Sequence, residues 1–144
     1  MADLSPTAAS VRNASPVGQS IVTDFIAAVA IDAGEGVYIN SSGKAALADA
    51  SAAGTAVCVG VALESVSAGE AVPVLQVGYV EGMGVSAVAY NTIVKVSDTA
   101  GAFDNGAGSP TVSCPVGRVM PATDGSLTKL LFVNCLYNMN VVPA

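Results

Sequence analysis

The residues that could carry chemistry in this chain are cysteines and carboxylates, because the sequence contains no histidine. The absence of histidine excludes Ser-His-Asp and Cys-His catalytic arrangements and every metal site that needs an imidazole ligand. The three cysteines, Cys58, Cys114 and Cys135, are far apart in sequence and form no CxxC pair. Cys58 lies in a valine-rich segment, where a thiol behaves as a small apolar side chain. We therefore predict three reduced, structural cysteines, the alternatives being a disulfide or a thiolate site.

Two further segments resemble binding motifs only in part. Residues 82–87 (GMGVSA) fit the G-x-G-x-x-A pattern of dinucleotide-binding folds, but the β-branched residues that follow favour a strand where that pattern needs a helix. Asp98 and residues 104–106 (DNG) could suggest a calcium loop, but the spacing lacks the D-x-[DN]-x-[DN]-G core and the distal glutamate. We predict a glycine-rich crossover in the first segment and solvated turns in the second.

The remaining carboxylates show no pairing suited to acid–base catalysis. Glu64 and Glu70 flank one turn and Glu81 follows the next strand, which is typical of solvated strand ends. We therefore predict no catalytic residue, no metal ligand and no cofactor, and an enzyme is the least favoured class of function.

The chain is acidic and its few cations are scattered. The net charge is −6, and no nucleic-acid partner is predicted because the five cations are spread along the sequence. No stretch has the about 20 apolar residues of a membrane-spanning helix, and no secretory signal is evident, so no membrane partner is predicted. Only 11% of the residues are charged, which is too few to cover a globule of this size. We therefore expect other copies of the chain to cover apolar surface.

Short β-branched runs alternate with turn residues from Ile21 onward, which indicates an all-β domain. The predicted strands are residues 21–31, 37–40, 45–47, 56–63, 71–77, 92–96, 116–120 and 127–133. The one candidate helix, residues 48–53, is alanine-rich but too short to be stable alone. Since the strands do not alternate with long helices, we predict a small β-barrel or β-tulip-like domain rather than a doubly wound fold.

The chain contains two similar halves, about residues 31–80 and 88–134. Each half has a Val-Gly pair in a predicted strand, and the two glycines, Gly60 and Gly117, lie 57 positions apart (117 − 60). A glycine inside a strand marks a bulge or a close backbone approach, so we expect these glycines at equivalent positions of two half-barrels. The alternative is chance similarity in a chain rich in valine and alanine.

Residues 1–20 form a separate segment rich in serine, alanine and proline, with no apolar period. We predict an extended arm, the alternative being a disordered tail. Its sparse apolar residues and single cation make Leu4, Val11, Arg12 and Val17 the candidate contacts with a partner surface. The predicted limits are an extended N-terminal arm over residues 1–20, a β domain over 21–137 and a C-terminal tail over 138–144.

The segment from Ile31 to Val80 resembles a family of small bacteriophage head proteins that decorate, or cement, the capsid. The shared pattern is an AG turn, a short strand, a GK turn, a GVALE strand, an AGE turn and a V-x-V strand ending in glycine. Its pieces here are residues 33–34, 37–39, 43–44, 60–64, 68–70 and 72–78. The GRV element at residues 117–119 also fits, so the resemblance covers about residues 21–134.

The resemblance implies a small β-barrel-like or tulip-like domain that forms a homotrimer on the outer surface of the virion capsid. Such a trimer would bind neighbouring copies of the major capsid protein and stabilise the contacts between capsomers. The arm and the segment after residue 134 depart from the family pattern, which leaves open whether arm or barrel makes the capsid contact. The alternative function is a phage tail or fibre adaptor with a binding role.

Overall fold

The computed structural model describes residues 3–136 and 142–143, and these residues form an all-β domain. A single 3-10 turn spans Ala8–Ser10. The strands are β1 (Arg12–Asn13), β2 (Ile21–Ile26), β3 (Gly36–Ile39), β4 (Ala45–Leu47), β5 (Gly60–Ala62), β6 (Ala71–Glu81), β7 (Ile93–Val96), β8 (Phe103–Asp104), β9 (Val112–Ser113), β10 (Pro115–Pro121), β11 (Lys129–Asn134) and β12 (Val142–Pro143). Nowhere in the described chain is there a helix long and apolar enough to cross a membrane. The predicted tail, residues 138–144, lies outside the described residues except for β12, which pairs with β9.

The prediction of an all-β domain is confirmed, and the eight predicted strands correspond to β2 to β7, β10 and β11. The limits differ most for β2 and β5, which are shorter than predicted, and for β6, which continues through Gly78 to Glu81. Gly78 stays within the strand because it pairs with Val133 on β11. The two-residue strands β1, β8 and β9 were not predicted, since each is defined by a partner strand rather than by a local pattern.

The candidate helix over residues 48–53, which is too short to be stable alone, does not form, and this segment forms turns. Ala48 N donates to Gly36 O and Ala50 N donates to Ser97 O, which ties the segment to two separate parts of the chain. Both alanines are buried. These tertiary contacts outweigh the helix propensity of alanine, which is weak over so short a stretch.

One curled sheet, a half-barrel, contains ten of the strands. Its main path runs β4-β3-β5-β6-β11-β10-β7-β8, and β1 and β2 both pair with β6 outside that path. Reading inward from each end, the strands of the first half (β4, β3, β5, β6) and of the second (β8, β7, β10, β11) occur in the same order. The two halves meet at the antiparallel pair of β6 and β11.

The strand registers also correspond between the halves. Gly60 pairs with Val37, and Gly117 pairs with Val94, so both members of the second pair lie 57 positions after those of the first (117 − 60 and 94 − 37). The pairing of β5 with β6 and that of β10 with β11 keep this offset. Gly60 and Gly117 therefore occupy corresponding positions in the two halves of the sheet.

The centre of this arrangement is the pair Val77 and Asn134, which are opposite each other in the register of β6 and β11. These residues are also 57 positions apart (134 − 77). When a residue in an antiparallel pair lies opposite the equivalent residue of the other half, a pseudo-two-fold axis passes through the pair. The larger apolar core contains buried side chains from both halves, such as Leu75 and Val96, so the halves share one interior.

Candidate interaction surface

The N-terminal arm packs against its own domain. Leu4 and Val11 are only 5% and 8% exposed, and both belong to the larger apolar core. Leu4 N donates to Phe103 O at 2.8 Å, and β1 pairs with the end of β6. This differs from the expectation that a neighbouring molecule orders the arm. The physical reason is that two buried side chains and a short strand pairing are enough to fix a segment without an apolar period.

The other two predicted contact residues remain accessible. Arg12 Nε lies 2.9 Å from Glu81 Oε1, and the two side chains are 69% and 41% exposed. An ion pair this exposed contributes little to stability. Val17 is fully exposed at the turn between β1 and β2. Whether Arg12 and Val17 contact a partner stays a prediction, whereas Leu4 and Val11 are occupied within the chain.

The glycines of the GMGVSA segment make room for the arm. A Cβ atom on Gly82 would lie 2.5 Å from the backbone of Ser10, and one on Gly84 would lie 2.5 Å from Ser5 O. Both glycines also have positive φ angles, 83° and 73°. The segment therefore forms a turn after β6 against which the arm backbone packs, and it does not open a helix as a dinucleotide site would.

The acidic residues of the suspected calcium loop serve as turn formers. Asp104 Oδ1 accepts hydrogen bonds from Gly106 N and Gly108 N, and the Asp98 carboxylate accepts from Thr111 N and Oγ1. Among the described residues, no group of three or more histidine, cysteine or acidic side chains is arranged to hold a metal ion.

The three glutamates weighed for acid–base chemistry are not brought together as a set. Glu70 precedes β6 and its Oε1 accepts from Ser67 N, whereas Glu81 ends β6 and pairs with Arg12. The first ten residues of β6 lie between these two glutamates, which places them roughly 35 Å apart along an extended strand. Glu64 is exposed after β5.

The three cysteines, distant in sequence, converge in the larger core as buried free thiols. Cys58 Sγ donates to Gly60 O at 3.3 Å, and the neighbouring Cys135 thiol holds the pKa of Cys58 below its ordinary value. Interaction with Cys58, together with burial, raises the pKa of Cys135 well above its ordinary value. Burial raises the pKa of Cys114 as well. The sequence predicted reduced, structural thiols but contained no signal that they meet.

These thiols are expected to resist alkylation in the folded protein and to react fully after denaturation, because burial blocks the reagent. Labelling with iodoacetamide, read by mass spectrometry, measures this, and Ser41→Cys, at an exposed turn, shows that the reagent is active. Rapid labelling of the folded protein would contradict the buried placement.

Folding stability is also expected to fall as pH rises above the ordinary thiol pKa. The unfolded chain then loses protons that folded Cys114 and Cys135 still hold. This loss outweighs the opposite contribution of Cys58, whose pKa is lowered in the folded chain, because two thiols are raised and Cys135 is raised strongly.

A row of side chains crosses three strands of the second half and β6 of the first, and it lies along an open groove. Tyr79, Phe132, Arg118 and Ile93 are opposite one another on β6, β11, β10 and β7, so they share one face of the sheet. The Tyr79 and Phe132 rings lie 5.1 Å apart between centroids. A groove of about 250 Å³ is lined in part by Ile93, Gly117, Arg118 and Phe132.

Two of the five cations lie on this face. Lys95 is two residues from Ile93 on β7 and therefore points to the same side of the sheet. Lys95 and Arg118 both line a second groove of about 390 Å³, which adjoins the first through Ile93 and Arg118. Asp104, which is opposite Lys95 on β8 and is buried, lines this groove as well. The exposed Arg118 donates to Asn91 O and Oδ1 and has no carboxylate partner among the described residues. We call Ile93, Lys95, Arg118 and Phe132 the basic groove.

A second apolar surface lies on the first half of the chain. Five large apolar side chains that are at least 38% exposed lie between residues 17 and 29: Val17, Ile21, Val22, Ile26 and Val29. Strand β2 pairs with β6, and no other described strand pairs along its length. Val22, Asp24 and Ile26 alternate along it on one face, and all three are exposed. We call these three residues the β2 stripe.

Sequence reasoning missed both surfaces. It treated the cations as scattered because Lys95 and Arg118 are distant in sequence, and only the sheet order places their strands side by side. It predicted the β2 segment as a strand, but a pattern cannot tell a strand covered on both faces from one that is exposed.

Comparison with known proteins gave no match, whether with protein-family models, curated proteins or solved structures.

Proposed function

We propose that this chain is a bacteriophage capsid decoration protein that binds the outer surface of the shell as a homotrimer. The observation that carries the proposal is the ordered set of family-like motifs, which fall on successive elements of one half of the sheet. The AG, GK and AGE pieces lie in turns, and the hydrophobic pieces lie in β3, β5 and β6. An all-β, half-barrel sheet is the kind of fold that the resemblance implies.

The exposed apolar surface supports an assembly role. The β2 segment and the basic groove both leave large apolar side chains in contact with solvent. Surfaces of this kind on an acidic, sparsely charged chain are typical of proteins whose neighbours cover them. A trimer that binds only the assembled shell stabilises that shell by mass action, and three linked contacts strengthen weak single ones.

The proposal is tested by adding the purified protein to phage heads assembled without it. Occupancy, measured by sedimentation against protein concentration, is expected to saturate on assembled heads, and the loaded heads are expected to withstand a higher temperature before releasing DNA. Unassembled capsid protein is the matched control and is expected to bind weakly, since the proposed site spans neighbouring subunits. Binding to purified tails but not to heads would replace this proposal with the tail-adaptor alternative.

A further inference from the structure

We propose that the basic groove of one copy binds the β2 stripe of a second copy of this chain, and that this head-to-tail contact holds the homotrimer together. The inference rests on the proposed trimer and specifies which surfaces form it. Both surfaces are apolar and exposed, and the two carry charges of opposite sign.

The side chains of the two surfaces occur in a matching order. The β2 stripe places the carboxylate of Asp24 between the apolar side chains of Val22 and Ile26. The basic groove places the guanidinium of Arg118 between Ile93 and Phe132. Val22 and Ile26 are about 13 Å apart along an extended strand, and Ile93 and Phe132 are about 10 Å apart across two strand spacings. The difference is within the reach of flexible side chains.

The two parts of the chain also differ in net charge. Residues 1–85 contain eight acidic and two cationic residues, a net charge of −6 (2 − 8), whereas residues 86–144 contain three of each. A contact between the first half of one copy and the second half of the next therefore avoids placing two acidic regions against each other. Asp24 is exposed and has no cationic partner within the described part of the chain, so it is available to Arg118 and Lys95 of a neighbour. Such complementarity selects the partner and its orientation.

The positions of the two surfaces on the sheet favour a small ring. Strand β2 begins at Ile21, which pairs with Val77, and β11 ends at Asn134, which pairs with the same Val77. The stripe and the groove therefore lie beside each other around one point of the sheet. A heterologous contact between different surfaces repeats from copy to copy and closes when the rotation allows it. When the two surfaces are adjacent, the rotation from one copy to the next is large, which favours a small ring. Surfaces on opposite sides of the domain would favour a filament.

Charge reversal tests the contact in the full chain, in solution and without capsids. Light scattering and sedimentation velocity give the trimer's dissociation concentration for wild type, Asp24→Arg, Arg118→Glu and the double variant. Each single reversal is expected to raise the trimer's dissociation concentration on the order of a hundredfold. The dissociation concentration of the double variant is expected to be at least about tenfold lower than that of either single variant. Glu64→Arg and Lys44→Glu reverse exposed charges outside both surfaces and are expected to leave the trimer intact.

The neutral variants Asp24→Asn and Arg118→Gln control for misfolding, because they remove the charge and keep a polar side chain of similar size. Each is expected to raise the trimer's dissociation concentration about tenfold. A monomeric wild type would overturn the inference, as would a trimer that neither reversal weakens, or a double variant that recovers nothing. Head occupancy is measured separately on the control variants. Their failure to bind heads would reject the decoration function while leaving the subunit contact standing, so the two failures are distinguishable.

Discussion

Deletion of residues 2–18 is expected to unfold the domain or to lower its thermal midpoint by more than about 10 °C. The deletion removes the buried side chains of Leu4 and Val11, which together stabilise the fold by roughly 3–6 kcal/mol. It also removes the backbone bonds of Leu4 N to Phe103 O and of Thr7 N to Gly82 O, and it exposes the core beneath them. The arm, which the sequence alone presents as a separate extended segment, is therefore part of the folded domain.

Point substitutions separate the effect of burial from the effect of deletion. Leu4→Ala is expected to cost about 2–4 kcal/mol in unfolding free energy, because it leaves a cavity at the edge of the core. Val17→Ala, in the same arm but fully exposed, is expected to change stability by less than about 0.5 kcal/mol. Urea denaturation followed by circular dichroism measures both. Equal stability of the two variants, or a truncated chain with the wild-type midpoint, would show that the arm does not belong to the core.

Replacing Gly117 with alanine is expected to destabilise the fold by about 3 kcal/mol or to prevent folding. A methyl group on Gly117 would overlap the carbonyl oxygen of Phe132, which is backbone and cannot rotate away. The β10–β11 pairing must therefore shift. Gly60→Ala is expected to act in the same way, because its methyl group would overlap the carbonyl oxygen of Leu75. The two glycines occupy corresponding positions, so the two losses should be of similar size.

Gly54→Ala is the matched control for both glycine substitutions. A Cβ atom on Gly54 meets nothing within 4 Å, and its φ angle is not in the left-handed region. The variant is expected to be neutral or slightly more stable, since alanine reduces the freedom of the unfolded chain. Chemical denaturation of the three variants under one set of conditions makes the comparison. Wild-type stability for Gly117→Ala would contradict the close packing of β10 against β11.

The fold class and most strands could be predicted from the sequence because β-branched runs between turn residues are a local signal. The correspondence of Gly60 and Gly117 was also within reach, since the offset between them is visible in the residues themselves. The packing of the arm could not be predicted, because Leu4 and Val11 form no periodic apolar pattern. Their burial depends on a groove formed by distant strands. Residues 48–53 show the opposite case, in which a local helix signal loses to tertiary hydrogen bonds.

The candidate surfaces depend on contacts that no short sequence window contains. Arg118 joins Ile93 and Phe132 only through the order β7-β10-β11, and the three cysteines meet only in the shared core. Val22 and Ile26 are exposed because no described strand other than β6 pairs with β2. Residue types could therefore exclude whole classes of chemistry, whereas the placement of an interaction surface required the sheet order and register.

A cryo-EM difference map tests whether the chain forms a trimer on the outside of a phage head. Heads assembled with and without the chain are reconstructed under the same conditions and subtracted. Added density is expected on the outer surface, with three half-barrel domains around a three-fold axis and contact with more than one capsid subunit. Added density on the tail, single copies on the shell, or no difference between the two maps would contradict a trimeric decoration protein.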